Sequence, residues 1–573
     1  MTRSKIPHRV LVVSNFFPPQ TVGGAELVAH RQARALAARG HHVVVLAGTT
    51  GASEANPAGS LGHDVHDGLP VYRLVMRSFE AGQNFHWPAA ARRVAGLIAA
   101  HDLDAVLFHN LNGLGTDMVL AARRAGARCL VTLHDHWGHC FRATRLQPDG
   151  RICADHERCA DCQATIVDPA GAVLPMRLRR DYVAWCLGHA DRLISPSRYL
   201  AQSYRDAGFA PDRLLALSNG IDLGAVPADA KRPSPDGAVR FVCSAYLGEH
   251  KGIPVLLEAA RRLAADRRAA GRWHLTIAGD GHLRPAVEKL AAQAGLEGRV
   301  RLTGRLPRQE FLALLADTDV IVLPSVWPEN EPVSLLEAIA SGTAQIATDL
   351  GGSAALIEHG RSGYLIAPGD PDALAGAMLR YILDPSLATA HGSHNLSRRD
   401  AFDESRTISR LEELLDAPTP AAPADDAAPV VVCGGAASPP PQAEALVREL
   451  HAHLPPGPVP RLLWHDWCGA EAWADARLLW LWDRHAPEAL FAQALKRGIP
   501  VLAPHTGWAE GLARHYGGVI LYRTYLEAMA ALRALLAMPD LRRAFAARAY
   551  GAADASVAMA PRGAFDLRAD RAA

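Results

Sequence analysis

The sequence predicts an α/β protein: two doubly wound parallel-sheet domains facing a cleft, followed by a truncated α/β C-terminal domain. Three observations predict it. Apolar runs of strand length alternate with Ala- and Arg-rich helical stretches from residue 8 onward. The alternation stops in a polar stretch after residue 222 and then restarts. A Pro/Ala/Asp-rich segment near residue 416 has the composition of a linker.

Taken in order, "HRVLVVSNFFPPQTVGGAELVAHRQARALAARGHHVVVLAG" reads as a buried strand, a glycine-containing loop, an amphipathic helix and a second strand. Further strands follow at "DAVLFHN", "RCLVTLHD" and "DRLISPS", so the first domain runs over residues 1–222. Beyond "NGID" and the polar "LGAVPADAKRPSPDGA", strands recur at "VRFVCSAYLG", "WHLTIAGDG", "RVRLTG", "DVIVLPS" and "AQIATD". These define a second domain over residues 223–415, with residues 416–429 as linker. Residues 430–550 resume with "VVVCGG", "RLLWLW" and "PVLAPH", and residues 551–573 form a tail.

The 573 residues suffice for three to four domains of about 150 residues each. Hydrophobic residues make up 49% and aromatics 6%, the balance of a globular enzyme and not of a disordered or fibrous chain. A formal net charge of +1 argues against a nucleic-acid partner. No apolar run approaches the roughly 18 residues of a membrane span, and the N-terminus lacks a signal-peptide pattern. The expectation is a cytoplasmic protein. Nine cysteines over this length do not make a disulfide framework.

Two domains of this kind bind ligands where the carboxyl ends of their strands face the cleft. "TVGGAE" puts Gly23 and Gly24 between the first strand and first helix, where bare amides can approach a phosphate or simply make a turn. "GEHKGI" puts Lys251 at a strand end, as a point charge for a diphosphate or as a solvated loop lysine. "WPENEPVSLLEAIASG" holds Glu329 just before a helix and Glu337 two turns inside it. Ordinary helix capping would explain an acid in that position.

The ordered series "GGAE", "TLHD", "ADRLISPS", "NGID", "HKG", "AGDG", "ADTDVIVLPS", the two acids with seven residues between them, and "DLGGSAALIEHGRSGYLIAPGD" resembles glycosyltransferase family 4, the retaining GT-B enzymes. The resemblance covers nearly all of residues 8–415. It implies two Rossmann-like domains and a nucleotide-sugar donor. It further implies that Glu337 binds the ribose hydroxyls, Glu329 the donor sugar, and the amides around Val333 and Ser334 the sugar and diphosphate. Gly23 and Gly24 match the loop that contacts the phosphates, Lys251 the cation on the leaving diphosphate, and His134 a cleft histidine near the transferred sugar. No cofactor is required for such chemistry. One position departs from the family: the arginine usual five residues before the lysine is Tyr246, a loss for which His250 or Arg305 would have to compensate.

Other features carry alternatives. Cys140, Cys153, Cys159 and Cys162, in an insertion near residues 140–162, would hold a structural zinc ion or remain reduced thiols in a loop. His109 and Asn110 end a strand and would line the acceptor side or serve packing. "PMRLRRDYVAWCLGHADR" is read as a core-packed helix with a solvated arginine face, or as a peripheral contact with anionic lipid at the inner membrane face.

Residues 316–356 align without gaps to residues 472–512, so residues 430–550 are read as a degenerate donor-type half-domain that packs or recruits, the alternative being a generic α/β segment whose similarity is chance. In that alignment Glu329 and Glu337 become His485 and Gln493, so the acids are lost while the turn signals remain. The expected function is a retaining glycosyltransferase acting on a glycan, lipid-linked or small-molecule acceptor in polysaccharide or glycoconjugate biosynthesis. Alternatives are a GT-B sugar-nucleotide epimerase and a non-catalytic glycan- or partner-binding scaffold. Donor identity and oligomeric state do not follow from the residues.

Overall fold

The computed structural model describes residues 7–417 apart from 21–22, 78–84, 155–158, 164, 168–172, 227–230, 233 and 293–295. In the rest of the chain it describes 430–434, 461–465, 476–481, 494, 499–504, 509, 519–522, 528, 531–532 and 535. The chain divides into two compact units. One comprises residues 1–156 and 187–423; the other comprises 157–186 and 424–573.

The first strands are β1 (Arg9–Ser14), β2 (His42–Thr49), β3 (Leu61–His66), β4 (Leu69–Val75), β5 (Ala105–Phe108) and β6 (Arg128–Thr132). After a short hairpin of β7 (Thr165–Val167) and β8 (Val173–Pro175) come β9 (Arg192–Ser195) and β10 (Leu214–Ala216). The first sheet has the order β10-β9-β6-β5-β1-β2-β4-β3, parallel except for the β3–β4 hairpin. Val10, Leu11, Val12 and Val13 are all fully buried, as expected of a parallel strand covered on both faces.

The second sheet contains β11 (Val239–Ser244), β12 (Trp273–Ala278), β13 (Val300–Gly304), β14 (Val320–Leu323), β15 (Ala344–Thr348) and β16 (Gly363–Ile366). Its order is β13-β12-β11-β14-β15-β16, parallel throughout. The order reverses beside β11, so the loops after β11 and β14 open at the switch point where such sheets bind ligands. Two Rossmann-like domains are therefore present.

The chain crosses between these domains twice, side by side. On the way out, the Ile221 N–H donates to Phe402 O at 2.7 Å; on the way back, the Glu404 N–H donates to Ile221 O at 3.0 Å. Gly220 has φ +70, and a Cβ there would lie 2.6 Å from Glu404 Cα, so both its conformation and its packing demand glycine. Helix Glu404–Leu415, within the stretch assigned by sequence to the second domain, packs instead on the first. Ile408, Leu411, Leu414 and Leu415 join the core of Val10, Val12, Ala29 and Leu36. The apolar face of this helix fixes its partner, and chain order does not.

Residues 157–186 also fall outside the first domain, forming a compact unit with the C-terminal residues. Arg179 and Arg180 of helix Met176–Gly188 are 2% and 3% exposed. These two arginines therefore do not form a solvated face and are not offered to lipid headgroups. Among the described residues no helix is long and apolar enough to cross a membrane.

The last sheet holds β17 (Val430–Gly434), β18 (Arg461–His465), β19 (Ala476–Leu481), β20 (Val501–Pro504) and β21 (Val519–Tyr522) in the order β18-β17-β19-β20-β21. The offset of the internal repeat carries the start of β14 onto the start of β19 and the whole of β16 onto β21. It also brings helical, buried Ala338 onto helical, buried Ala494. The run β14-β15-β16 is thus matched by the parallel run β19-β20-β21. His485 and Gln493 lie outside the described residues.

Candidate active site

The loop after β14 carries the first acid. Glu329 is 5% exposed, and its Oε1 accepts three hydrogen bonds, from Lys251 Nζ at 2.7 Å, Ser325 Oγ at 2.6 Å and Trp327 Nε1 at 2.9 Å. Lys251 also sits over the Trp327 ring, 4.8 Å from its centre. Gly252, at φ +68, makes this approach feasible: a Cβ there would lie 1.8 Å from Pro324 O. The Lys-Gly turn after β11 is thereby seated against the end of β14, and the Val326 N–H donates to His250 O at 3.0 Å.

Glu329 does not cap the following helix. Helix Val333–Ser341 begins after Pro332, with no side-chain cap bond, so its first amides are left for another partner. Gly24 meets this helix start from the first domain: a Cβ on Gly24 would lie 3.3 Å from Cγ2 of Val333. The Gly23 N–H donates to Glu26 Oε2 at 2.7 Å, so the N3 carboxylate satisfies the amide at the start of helix Gly24–Ala38. Ser334 is half-buried beside Val333.

The second acid, Glu337, is buried on the same helix, with Arg308 Nη1 3.8 Å from its Oε1. Burial raises its pKa, against the opposing pull of Arg308 and Arg31. Arg31, itself buried, donates to Gly220 O at 3.0 Å and lies 3.6 Å from Glu404 Oε2, which places cationic charge beside the domain crossing.

Between the two acids lie two residues that sequence reasoning passed over. Asn330 spans the domains: its Oδ1 accepts from Ser197 Oγ at 2.8 Å, and its Nδ2 donates to the carbonyls of Leu133 and His134 at 3.2 and 3.1 Å. Glu331 Oε2 accepts from the Asn219 N–H at 2.6 Å, and burial pushes its pKa up to about 7. Gly351 and Gly352 close the loop from behind: a Cβ on Gly352 would lie 1.4 Å from Asn330 O, and its N–H donates to Glu329 O at 2.6 Å. The "GG" of "DLGG" is therefore required by the close approach of the loop that holds Glu329 and Asn330.

Residues 228–396 match the family model described as Glycosyl transferases group 1, and residues 22–225 match Glycosyltransferase Family 4. Both Rossmann-like domains thus match glycosyltransferase models. The glycogen synthase of Mycobacterium tuberculosis is 29% identical over 66% of this chain and 87% of its own length. An amylovoran biosynthesis glycosyltransferase of Erwinia amylovora is 36% identical over 25% of this chain and 35% of its own. Among solved structures, Anabaena HepE in complex with UDP and glucose superposes with a TM-score of 0.53 at 19% identity, covering 72% of this chain and 100% of that one. Sucrose-phosphate synthase of Thermosynechococcus elongatus gives 0.52 at 18%, covering 71% and 98%. The fold of this chain is GT-B, and it is a glycosyltransferase.

Other residues singled out in this glycosyltransferase sit as follows. His109 Nδ1 and His134 Nε2 are 3.0 Å apart with stacked rings, and burial lowers the pKa of both, His134 to about 3. A neutral pair is the consequence. Asn110 is buried; its carbonyl accepts from the Asn15 N–H at 2.7 Å and its Oδ1 from the Asn112 N–H at 3.0 Å. Tyr246 stacks on His250 and its hydroxyl lies 3.2 Å from His282 Nδ1. Burial lowers the His250 pKa to about 4, so this imidazole is neutral at pH 7 and does not replace the missing arginine charge. Arg305 is exposed at the end of β13. Cys140 and Cys153 belong to the first compact unit, around a bridge between Leu146 and Ile152, whereas Cys159 and Cys162, in a four-residue helix, belong to the second.

Proposed function

We propose that the chain is a metal-independent retaining hexosyltransferase that moves a sugar from a nucleotide-diphosphate donor to a growing glycan or lipid-linked acceptor in polysaccharide biosynthesis. The observation that carries this reading is the meeting of the Gly23–Gly24 loop with the uncapped start of helix Val333–Ser341. Beside it, Lys251 from the turn after β11 is anchored to Glu329 on the loop that leads into this helix.

In the reaction, the bond between the anomeric carbon and the β-phosphate oxygen breaks, and a bond to the acceptor oxygen forms on the same face. The acceptor proton passes to the departing phosphate oxygen. Negative charge therefore accumulates on the diphosphate. Lys251 uses one of its three donors on Glu329 and has two for that charge, and the helix-start amides around Val333 and Ser334 and the Gly24 N–H beside the engaged Gly23 add fixed dipoles. Glu329 positions the sugar, Glu337 accepts from the ribose hydroxyls, and His134, neutral, faces the sugar from the first domain. His109 orients His134, and Asn110 holds the neighbouring strand end.

UDP-sugars are the first donors to test, since the Anabaena neighbour was crystallised with UDP-glucose. A glycan acceptor is supported by the relatives' roles in glycogen, amylovoran and colanic acid synthesis. Release of sugar or nucleoside diphosphate from one member of a donor panel, abolished in Lys251→Ala, is the expected result. Turnover unchanged in that variant removes the proposed clamp.

A further inference from the structure

On the first domain, away from Lys251 and the two acids, three ligating side chains converge. His30 lies on the second turn of helix Gly24–Ala38, His66 ends β3, and Asp67 begins the β3–β4 turn. One donor atom from each lies within 4.8 Å of the other two. His30 Nε2 and Asp67 Oδ2 are 3.0 Å apart, and the two imidazole centres are 5.4 Å apart at an interplanar angle of 54°. We propose that His30, His66 and Asp67 form a binding site for a divalent transition-metal ion of the zinc class.

Geometry and donor chemistry support the proposal together. Ligand bonds near 2.0–2.1 Å in a tetrahedron place ligand atoms about 3.3 Å apart, so the His30–Asp67 spacing already fits. The remaining spacing closes by side-chain rotation at the exposed turn. Two imidazoles and one carboxylate favour zinc-class ions over calcium or magnesium, and a water completes the shell.

Pairing with Asp67 explains part of the cluster without an ion. Arg34 Nη1 lies 3.6 Å from the same Oδ2 that His30 meets. That network leaves unexplained why a second imidazole, His66, is brought against His30. Phe17 meets both rings edge-on, at 5.2 and 6.3 Å, and is itself held through its carbonyl by Arg73 Nη1 at 2.8 Å. The imidazoles are thus walled on one side. A bound ion would cross-link the edge hairpin to the helix whose start carries Gly24.

The test uses the full chain, stripped with chelator and titrated with Co²⁺ and with Zn²⁺, alongside His66→Ala and Asp67→Ala. His66 is half-exposed at a hairpin end, so its replacement leaves the core intact. The expected result is one equivalent of Co²⁺ with ligand-field absorption and no thiolate charge-transfer band, lost in both variants. Zn²⁺ should raise the melting temperature of the parent chain and not of His66→Ala. No uptake, uptake unchanged in His66→Ala, or absorption with thiolate charge transfer alone overturns the proposal.

Discussion

Replacing Glu331 by glutamine should stabilise the protein at alkaline pH and remove part of its pH dependence. The carboxylate sits beside the crossing between the domains, and burial moves its pKa from an ordinary 4.5 to about 7. The folded chain therefore holds this proton more tightly than the unfolded chain. Stability from this group is greatest below pH 4.5 and falls as pH rises, with the loss complete just above 7. At about 1.36 kcal/mol per pKa unit the full effect is about 3 kcal/mol, of which about 2.5 kcal/mol lies between pH 5 and 8. The carboxamide keeps an acceptor for the Asn219 N–H and carries no charge, while Arg31 retains Glu404 as partner. Urea unfolding of the parent and Glu331→Gln chains at several pH values measures the difference directly. The variant should gain about 2.5 kcal/mol on the parent between pH 5 and 8. Equal slopes, or a variant less stable than the parent at pH 8, would refute the reasoning.

Further predictions concern the neighbouring residues. Lys251→Ala leaves Glu329 buried with only Ser325 and Trp327, and should cost about 3 kcal/mol of stability and at least about 100-fold in turnover, read by calorimetry and donor consumption. Asn330→Ala removes three hydrogen bonds between the domains, worth about 1 kcal/mol each; kcat/KM measured against donor should fall about 10- to 100-fold. Gly352→Ala forces a Cβ into Asn330 O and should cost about 3 kcal/mol in thermal unfolding. Gly376→Ala, in a helix with open space around it, should instead stabilise by about 0.5–1 kcal/mol in the same assay.

Much of the fold was legible because buried parallel strands are written as unbroken apolar runs. "VLVV" in β1 and "VIVL" in β14 are fully or almost fully buried and central in their sheets. The pair Lys251 and Glu329 could be anticipated because each lies in a loop that follows a strand at the switch point of one sheet. What escaped notice depends on partners distant in sequence. Asn330 looks like any loop asparagine until Ser197 and the carbonyls of Leu133 and His134 are brought to it. Glu331 likewise acquires its perturbed pKa from burial against residues more than a hundred positions earlier. Helix Glu404–Leu415 was misassigned because its apolar face says that it must pack, and not on which sheet. The arginines at 179 and 180 read as a surface charge run, yet both are buried.

The central claim is that Glu337 and the uncapped helix start hold a nucleotide sugar. Calorimetric titration of the parent chain and Glu337→Ala with a panel of nucleotide sugars tests it most directly. One saturable site in the parent chain, lost in the variant while the variant's melting curve stays cooperative, is the predicted result. Binding that survives Glu337→Ala, or a parent chain that binds no nucleotide sugar, would contradict it.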